Sequence, residues 1–258
     1  MRKTALLLAV VVYVYFFIAL SSWADTLSFD SSKISKVDIE HISGKVVILA
    51  NLKSLERATL KVTKVKAEKS CKVESNIYDH TLVIKTKSSD NDDCQINLDV
   101  IVPSLIDISV KTVSGSVKLQ GTVKRLQFNS VSGDLLGEGN VGELTSKTIS
   151  GDININKIDN DLMSTTVSGN IMIAKISGSA KISSVSGDVE LKYARLVKDS
   201  SVSVSSVSGD VLVFVPNSVN MRNVSGASLS FEQSSEKGKN NLDISLRTIS
   251  GNLKIKRK

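Results

Sequence analysis

The sequence predicts an all-β protein: a parallel β-solenoid of about eight coils of 18 residues, preceded by a β-rich lead-in or capping region. Three observations predict this fold. The dipeptide Ser-Gly recurs every 18 residues from Ser114-Gly115 to Ser186-Gly187. Aliphatic residues keep fixed positions relative to each of these glycines. Aromatic residues make up only 4% of the chain, so the core must consist of Val, Ile and Leu, of which Val and Ile favour strands.

Residues 1–24 are predicted to form a secretory signal peptide. Arg2 and Lys3 precede an apolar run over residues 5–20, and Ser22 and Ala24 supply the small residues of a cleavage site. The alternative is an uncleaved membrane anchor, because the run is near the lower length limit for crossing a bilayer. We therefore expect export to the periplasm, the cell surface or the medium, with contact to a membrane only if the signal is retained.

Residues 25–110 are predicted to be the β-rich lead-in. Period-two or continuous apolar patterns predict strands at 37–41, 45–49, 59–65, 81–86 and 95–102, with turns at 79–80 and 88–93. One early copy of the repeat pattern, at residues 42–46, is interpreted as a first coil or as a cap that covers the exposed end of the stack.

Cys71 and Cys94 are the only cysteines, and an exported chain favours a disulfide between them. Free thiols and a chemical role are the alternatives. A catalytic thiol would need a histidine partner, for which His41 and His80 are the only candidates. A metal site would need more ligands than these cysteines and His80 provide.

Residues 111–258 are predicted to form the solenoid repeats, continuous with the lead-in. Positions −7, −2 and +2, counted from each repeat glycine, are almost always aliphatic, and we expect them to stack into a continuous buried interior. Position −3 is Thr, Ser or Asn, which predicts a bend there, with hydroxyls available to bond neighbouring coils. The apolar pattern shifts after the seventh glycine, where we expect a bulge or register change. The structural glycines are Gly115, Gly133, Gly151, Gly169, Gly187, Gly209, Gly226 and Gly251.

The residue after the glycine is often acidic, and this is the only metal-ligand pattern in the repeats. Stacked carboxylates at adjacent coils repel one another unless solvent or a cation lies between them. Asp is also a common turn residue, so we interpret these side chains as solvated turn carboxylates and keep calcium binding as the alternative. The calcium candidates are Asp134, Asp152, Asp188 and Asp210.

Several functional classes are disfavoured by what the sequence lacks. It contains no GxSxG, P-loop, HExxH or CxxC motif, and no histidine follows His80, so no catalytic residues and no cofactor are predicted. The aliphatic spacing also differs from that of left-handed hexapeptide acyltransferases. Export and the scarcity of aromatic residues argue against nucleic-acid binding. The net charge of +7, or +5 without Arg2 and Lys3 (31 basic against 26 acidic residues), is moderate and is explained by solubility or by an anionic surface.

The chain resembles a known family in a combination of motifs. These are the N-terminal signal, Val100-Ile101-Val102-Pro103 leading into Val113-Ser114-Gly115-Ser116-Val117, the serial Val-Ser-Gly-Asp-Val units, and Val213-Phe214-Val215-Pro216. Together they resemble the bacterial "putative adhesin" family of β-strand-repeat domains of unknown function, over about residues 35–256. The resemblance implies a parallel β-solenoid exported to the cell envelope and supplies no functional residues.

The predicted function is that of an exported, non-catalytic binding module, an adhesin or cell-envelope protein. Its partner would be a surface, a glycan or an envelope protein, because stacked coils present long flat ladders to repetitive ligands. One alternative is a structural scaffold that self-associates through its coil ends. Another is a glycan-acting β-helix enzyme, which an acidic pair facing a groove would favour.

Overall fold

The computed structural model describes residues 24–52, 56–66, 71–88, 94–196, 198–226 and 240–257. Within them the chain is all β, with one 3-10 turn at Ser31–Lys33 and no α-helix, which confirms the predicted class. The predicted signal peptide lies outside these residues except for Ala24. The strands are β1 Ala24–Asp30, β2 Lys36–His41, β3 Lys45–Leu52, β4 Arg57–Lys66, β5 Lys72–Tyr78, β6 Thr81–Lys87, β7 Gln95–Pro103, β8 Asp107–Thr112, β9 Ser116–Ser130, β10 Leu135–Thr148, β11 Ile153–Ile158, β12 Leu162–Ser168, β13 Ile171–Ile176, β14 Ala180–Ser186, β15 Val189–Tyr193, β16 Ser200–Ser205, β17 Val211–Val215, β18 Asn220–Ser225, β19 Asn241–Arg247 and β20 Leu253–Arg257.

Strands of successive repeats pair in parallel and form two broad faces. The first face contains β2, β6, β8, β12, β14, β16, β19 and the C-terminal halves of β9 and β10. The second face contains β3, β7, β11, β13, β15, β17, β20 and the N-terminal halves of β9 and β10. Since β9 and β10 continue from one face to the other, the two faces belong to one sheet.

The core lies between the two faces. On the first face Leu144, Leu162, Ala180 and Val202 stack in register, and each is at most 3% exposed. On the second face the +2 residues stack in the same way and are equally buried. The predicted buried columns at −7 and +2 are therefore confirmed. Each coil contributes only a few aliphatic side chains, so it depends on its neighbours to exclude water from them.

The N-terminal part begins as a coil of the same stack. β2 and β3 pair in parallel with β8 and β9, and the N–H of Ser114 donates to the carbonyl oxygen of Ile42 at 3.0 Å. Residues 42–46 thus belong to a coil, the first along the chain, and do not form a cap at the end of the stack. β6 and β7 lie on the other side of β2 and β3, so the order of coils in space differs from their order in the chain.

Antiparallel strands complete this end. β5 pairs with β6, β4 pairs with β7, and β1 pairs with β4, so the sheet is mixed and not parallel throughout. β1 and β5 were not among the strands predicted from the sequence. Cys71 and Cys94, which directly precede β5 and β7, form the predicted disulfide with their Cα atoms 5.7 Å apart. The predicted turn at Asp79 and His80 is also confirmed, whereas residues 89–93 of the other predicted turn lie outside the described residues.

The C-terminal end departs from the simple repeat. β16 pairs with β19 and β17 with β20, so the coil of Gly209 stacks directly on the coil of Gly251. Our placement of Gly226 between them was wrong, because β18 pairs with the far edge of β19. The register change expected after Gly226 falls at residues 227–239, outside the described residues, and a register shift occurs just before this glycine, between Arg222 and Ser225. No helix in the described part of the chain has the length and apolar character needed to cross a membrane.

Candidate binding surfaces

The Ser-Gly dipeptide forms the corner between the two faces, and the packing there explains the repeat glycines. A Cβ atom on Gly151 would lie 2.1 Å from the carbonyl oxygen of Gly133, one coil below. Gly133 meets Gly115 at the same distance, and Gly251 meets Gly209 at 2.2 Å. At these three corners backbone approaches backbone too closely for any side chain, so glycine is required there. Gly226 instead faces the carbonyl oxygen of Leu246 and lies outside this column.

The hydroxyl at position −3 fixes the shape of the corner. Thr112 Oγ1 accepts the N–H of Gly115 at 2.9 Å, and Thr148 Oγ1 accepts that of Gly151 at 3.0 Å. These bonds lie within one corner, so our expectation that the hydroxyls bond neighbouring coils was wrong. Thr166 and Ser184 hold the same position with buried oxygens that have no hydrogen-bond partner among the described residues.

Position −2 forms an exposed apolar column, which we call the corner ladder. We predicted that these side chains would be buried, and this was wrong: they are 43% to 83% exposed. The residues at −7, −5 and −3 point inward along each strand, so by the period of two the −2 side chain points outward. Alternation along the strand therefore contained the signal that we missed. The corner ladder consists of Val113, Val131, Ile149, Val167, Val185, Val207 and Ile249.

Backbone hydrogen bonds hold the corner ladder straight. The N–H of Ser132 donates to the carbonyl oxygen of Val113 at 2.8 Å, and the N–H of Ser150 donates to that of Val131 at 2.9 Å. The same bond joins Ser250 to the carbonyl of Val207 at 2.8 Å, across the irregular step near the C-terminus. Each coil thus adds one apolar side chain at one strand spacing, about 4.8 Å.

The Asp and Asn side chains at +1 run beside the corner ladder and bond from coil to coil. Asp134 Oδ1 accepts the N–H of Asp152 at 2.9 Å, and Asp152 Oδ1 accepts that of Asn170 at 2.7 Å. Asp188 and Asp210 continue the series. The N–H of Asn252, with its side-chain amide, holds the pKa of the Asp210 carboxyl below its usual range. Each of these carboxylates accepts a backbone N–H from the next coil, which accounts for the stacking of acidic side chains without a bound cation.

The described ranges hold no other cluster of metal-binding side chains. They contain no group of three or more His, Cys, Asp or Glu side chains placed to hold a metal ion. His80 lies at an exposed turn, and His41 is buried with only Thr86 Oγ1 near its Nδ1 atom, at 3.4 Å. The two histidines are therefore in different environments, and the disulfide leaves neither Cys71 nor Cys94 as a free thiol.

A polar groove crosses the outer surface of the first face. It consists of two adjoining hollows of about 420 and 320 Å³ that share Glu143 and Thr145. The first hollow contains Asp107 hydrogen-bonded to Arg125, whose guanidinium lowers the pKa of the Asp107 carboxyl. The second contains Asp161, which follows Glu143 on the next coil. The groove therefore runs along the stack, across the strands.

Near the C-terminal end of the second face, two lysine side chains contact the ring of one phenylalanine. Lys192 Nζ lies 5.4 Å and Lys256 Nζ 5.8 Å from the centre of the Phe214 ring, which occupies the coil between them. Lys192 is also bound to Glu190 at 2.5 Å. The ring and the carboxylate already satisfy much of this charge, so the contacts are explained as local packing.

Comparison with known proteins supports the resemblance seen in the motifs. Among solved structures, a "putative adhesin" from Parabacteroides distasonis is 17% identical, with 91% of this chain and 98% of that chain covered and a TM-score of 0.55. A "putative adhesin" from Bacteroides fragilis is 15% identical with the same coverage and a TM-score of 0.49. A "putative lipid binding protein" from Parabacteroides distasonis is 13% identical, with 90% and 96% covered and a TM-score of 0.48.

The first of these structures shows the same fold. No curated protein matches the chain significantly. Residues 55–256, most of the chain, match a single family that is itself of unknown function. The chain belongs to the Toastrack DUF4097 family.

Proposed function

We propose that the protein is exported and acts as a non-catalytic binding module, an adhesin or cell-envelope protein, built on a parallel solenoid of about eight coils. The observation that carries this proposal is the corner ladder. Its seven apolar side chains stand at least 43% exposed in one line of roughly 30 Å, as the strand spacing gives. Contiguous apolar surface of this kind marks interaction sites in soluble proteins.

Two further observations support a binding role. The fold is shared with the structure from Parabacteroides distasonis that is described as a "putative adhesin". The hydrogen bonds from coil to coil hold the corner ladder in place before any partner binds, so little conformational entropy is lost on binding. A rigid row with one side chain on each coil suits a partner that is itself extended or repetitive.

The test is binding of residues 25–258 to whole bacterial cells, isolated envelope fractions and immobilised host matrix proteins. The variant Ile149→Ser with Val167→Ser removes two adjacent members of the corner ladder. Leu136→Ser with Met172→Ser is the matched control, because these side chains are 38% and 43% exposed on the second face. We expect saturable binding that weakens at least tenfold in the ladder variant and is retained in the control. Equal binding by both variants would contradict the proposal.

A glycan-acting enzyme is the second candidate, because one observation favours it. Glu143 and Asp161 are an acidic pair on consecutive coils, and both line the groove on the first face. Both side chains are exposed, and Asp161 Oδ1 accepts the N–H of Ser179 at 3.0 Å. Catalytic acids of this kind stand in sites that exclude water, whereas these two side chains face open solvent. Release of reducing sugar from envelope polysaccharide, abolished by Glu143→Gln, would establish the enzyme instead.

A further inference from the structure

We propose that the groove on the first face binds a neutral linear polysaccharide that lies along the stack. The proposal rests on the binding function proposed above and assigns it a ligand class and a second surface. From Asp107 to Ser201 the groove spans six consecutive coils, and Lys36 lines it from a seventh coil beyond Asp107. At one strand spacing per coil these six coils span a length of roughly 25 Å. A chain of several sugar units fits such a length when it lies across the strands.

The lining offers hydrogen-bonding groups that the fold itself does not use. Gln127, Thr145 and Ser203 line the groove from exposed positions, and none of their side chains has a hydrogen-bond partner among the described residues. The Asp and Asn side chains beside the corner ladder differ, because they bond the next coil. Sugar hydroxyls both donate and accept hydrogen bonds, so they match amide and hydroxyl side chains. The groove is therefore better suited than the corner to a hydroxyl-rich ligand.

Charge decides which polysaccharide the groove fits. Its cationic side chains are Lys36, Arg125 and Lys181, and they are matched by equally many carboxylates. The carboxylates are Asp107, Glu143 and Asp161. A groove without net charge gives a polyanion no net attraction, because attraction to its cations and repulsion from its carboxylates offset one another. This balance favours a neutral chain over phosphorylated or uronic-acid polymers.

The coil spacing gives the groove a repeat that a polysaccharide can follow. Each coil advances by about one strand spacing, 4.8 Å, which is close to the advance of one sugar unit along an extended chain. Met163, 51% exposed, adds an apolar patch for the carbon-bound face of a sugar ring. No aromatic side chain lines either hollow, so each sugar contributes little binding energy. Affinity must therefore accumulate along the chain.

The experiment is a titration of residues 25–258 with cello-oligosaccharides and chito-oligosaccharides of two to six units. Binding is measured by isothermal titration calorimetry and by backbone NMR chemical shifts. Oligogalacturonate of matched length is the anionic comparison. We expect the Kd to fall with each added sugar, at least tenfold from dimer to hexamer. Oligogalacturonate should bind at least tenfold more weakly than the hexamers. Thr145→Arg, which fills the shared part of the groove, and Gln127→Ala should each weaken hexamer binding at least fivefold.

The matched control is Asn154→Ala with Asn156→Ala, which changes exposed polar groups on the second face. Absence of saturable hexamer binding at 10 mM, binding that Thr145→Arg leaves unchanged, or a preference for oligogalacturonate would each overturn the inference. The two proposals can fail separately. If envelope binding depends on the corner ladder while no oligosaccharide binds, only the groove assignment is wrong.

Discussion

His41 should make the stability of the fold depend on pH in a range where carboxylates do not titrate. The side chain is 4% exposed, its Nδ1 atom meets Thr86 Oγ1, and its Nε2 atom is buried without a partner among the described residues. Burial lowers the pKa of His41 from 6.5 to about 4. The charged groups of the adjoining strands, Glu40 with Lys85 and Lys111, pair with one another at 2.8 and 3.6 Å. Desolvation is thus the cause of the shift.

The sign and size of the effect follow from this shift. The unfolded chain takes up a proton at His41 as the pH falls through 6.5, whereas the folded chain does so only near 4. Stability is therefore fully present above pH 6.5 and is lost as the pH falls to 4. Between pH 7 and pH 5 the free energy of unfolding should decrease by about 2 kcal/mol from this group alone. Carboxylates with lowered pKa, such as Glu40, lose their contribution only below about pH 4.5.

The measurement is urea-induced unfolding at pH 7 and pH 5 for three proteins. The wild type should lose about 2 kcal/mol between the two values. His41→Gln, which cannot titrate, should be less stable at pH 7 and lose less than about 0.5 kcal/mol. His80→Asn removes the other histidine at an exposed turn, where its φ of 58° suits Asn, and should behave like the wild type. If His41→Gln keeps the full pH dependence, or His80→Asn removes it, the reasoning is wrong.

Three further predictions concern the corner and the disulfide. Gly151→Ala should lower the stability measured by thermal denaturation by about 3 kcal/mol, or abolish the folded state, because its Cβ would collide with the backbone of the neighbouring coil. Ser150→Ala, at the exposed neighbouring position, should cost less than about 0.5 kcal/mol. Asp152→Asn should keep the free energy of unfolding of the wild type, because its side-chain oxygen can still accept the N–H of Asn170, whereas Asp152→Ala should lower it by about 1 kcal/mol. Calcium or EDTA should leave the melting temperatures of both variants unchanged, and a rise with calcium would favour the metal site. Replacing Cys71 and Cys94 by Ser should cost about 3 kcal/mol, as the separation of 23 residues predicts, and an unchanged unfolding midpoint would contradict this.

Much of the fold could be predicted because the repeat is periodic. The constant step of 18 residues between repeats predicted that Leu144, Leu162 and their equivalents stack in one buried column. The glycine of each repeat predicted a corner where the backbones of neighbouring coils approach closely. The lead-in was harder, since β6 and β7 follow β4 and β5 in the chain but stack beyond β2 and β3. Gly226 was misplaced for a similar reason: its motif matches the repeat, while pairing sets β18 against the far edge of β19. Spacing along a chain fixes local conformation but not the order in which coils stack.

The groove could not be predicted, because it is formed by residues that share no motif. Glu143, Thr145 and Ser203 come together only when coils from different repeats stack. They occupy the same outward positions, −8 and −6, on successive coils, but the residue types there vary from coil to coil, whereas the −7 and +2 columns of the core stay aliphatic. Variation at fixed outward positions, on a scaffold whose inward positions repeat, is where a solenoid has room for a specific ligand. The sequence showed these residues only as ordinary solvent-facing polar side chains.

The corner ladder presents the opposite case, an outward position that does not vary. Strand propensity alone does not explain it, because the outward position −4 of the same strands holds Lys111, Thr165 and Ser183. Thr would serve strand propensity as well as Val and would be better solvated. Contact between successive side chains one strand spacing apart shields part of their surface, yet at least 43% of each remains exposed. The core does not need these residues, and the binding role proposed above gives a physical reason for Val or Ile at all seven positions.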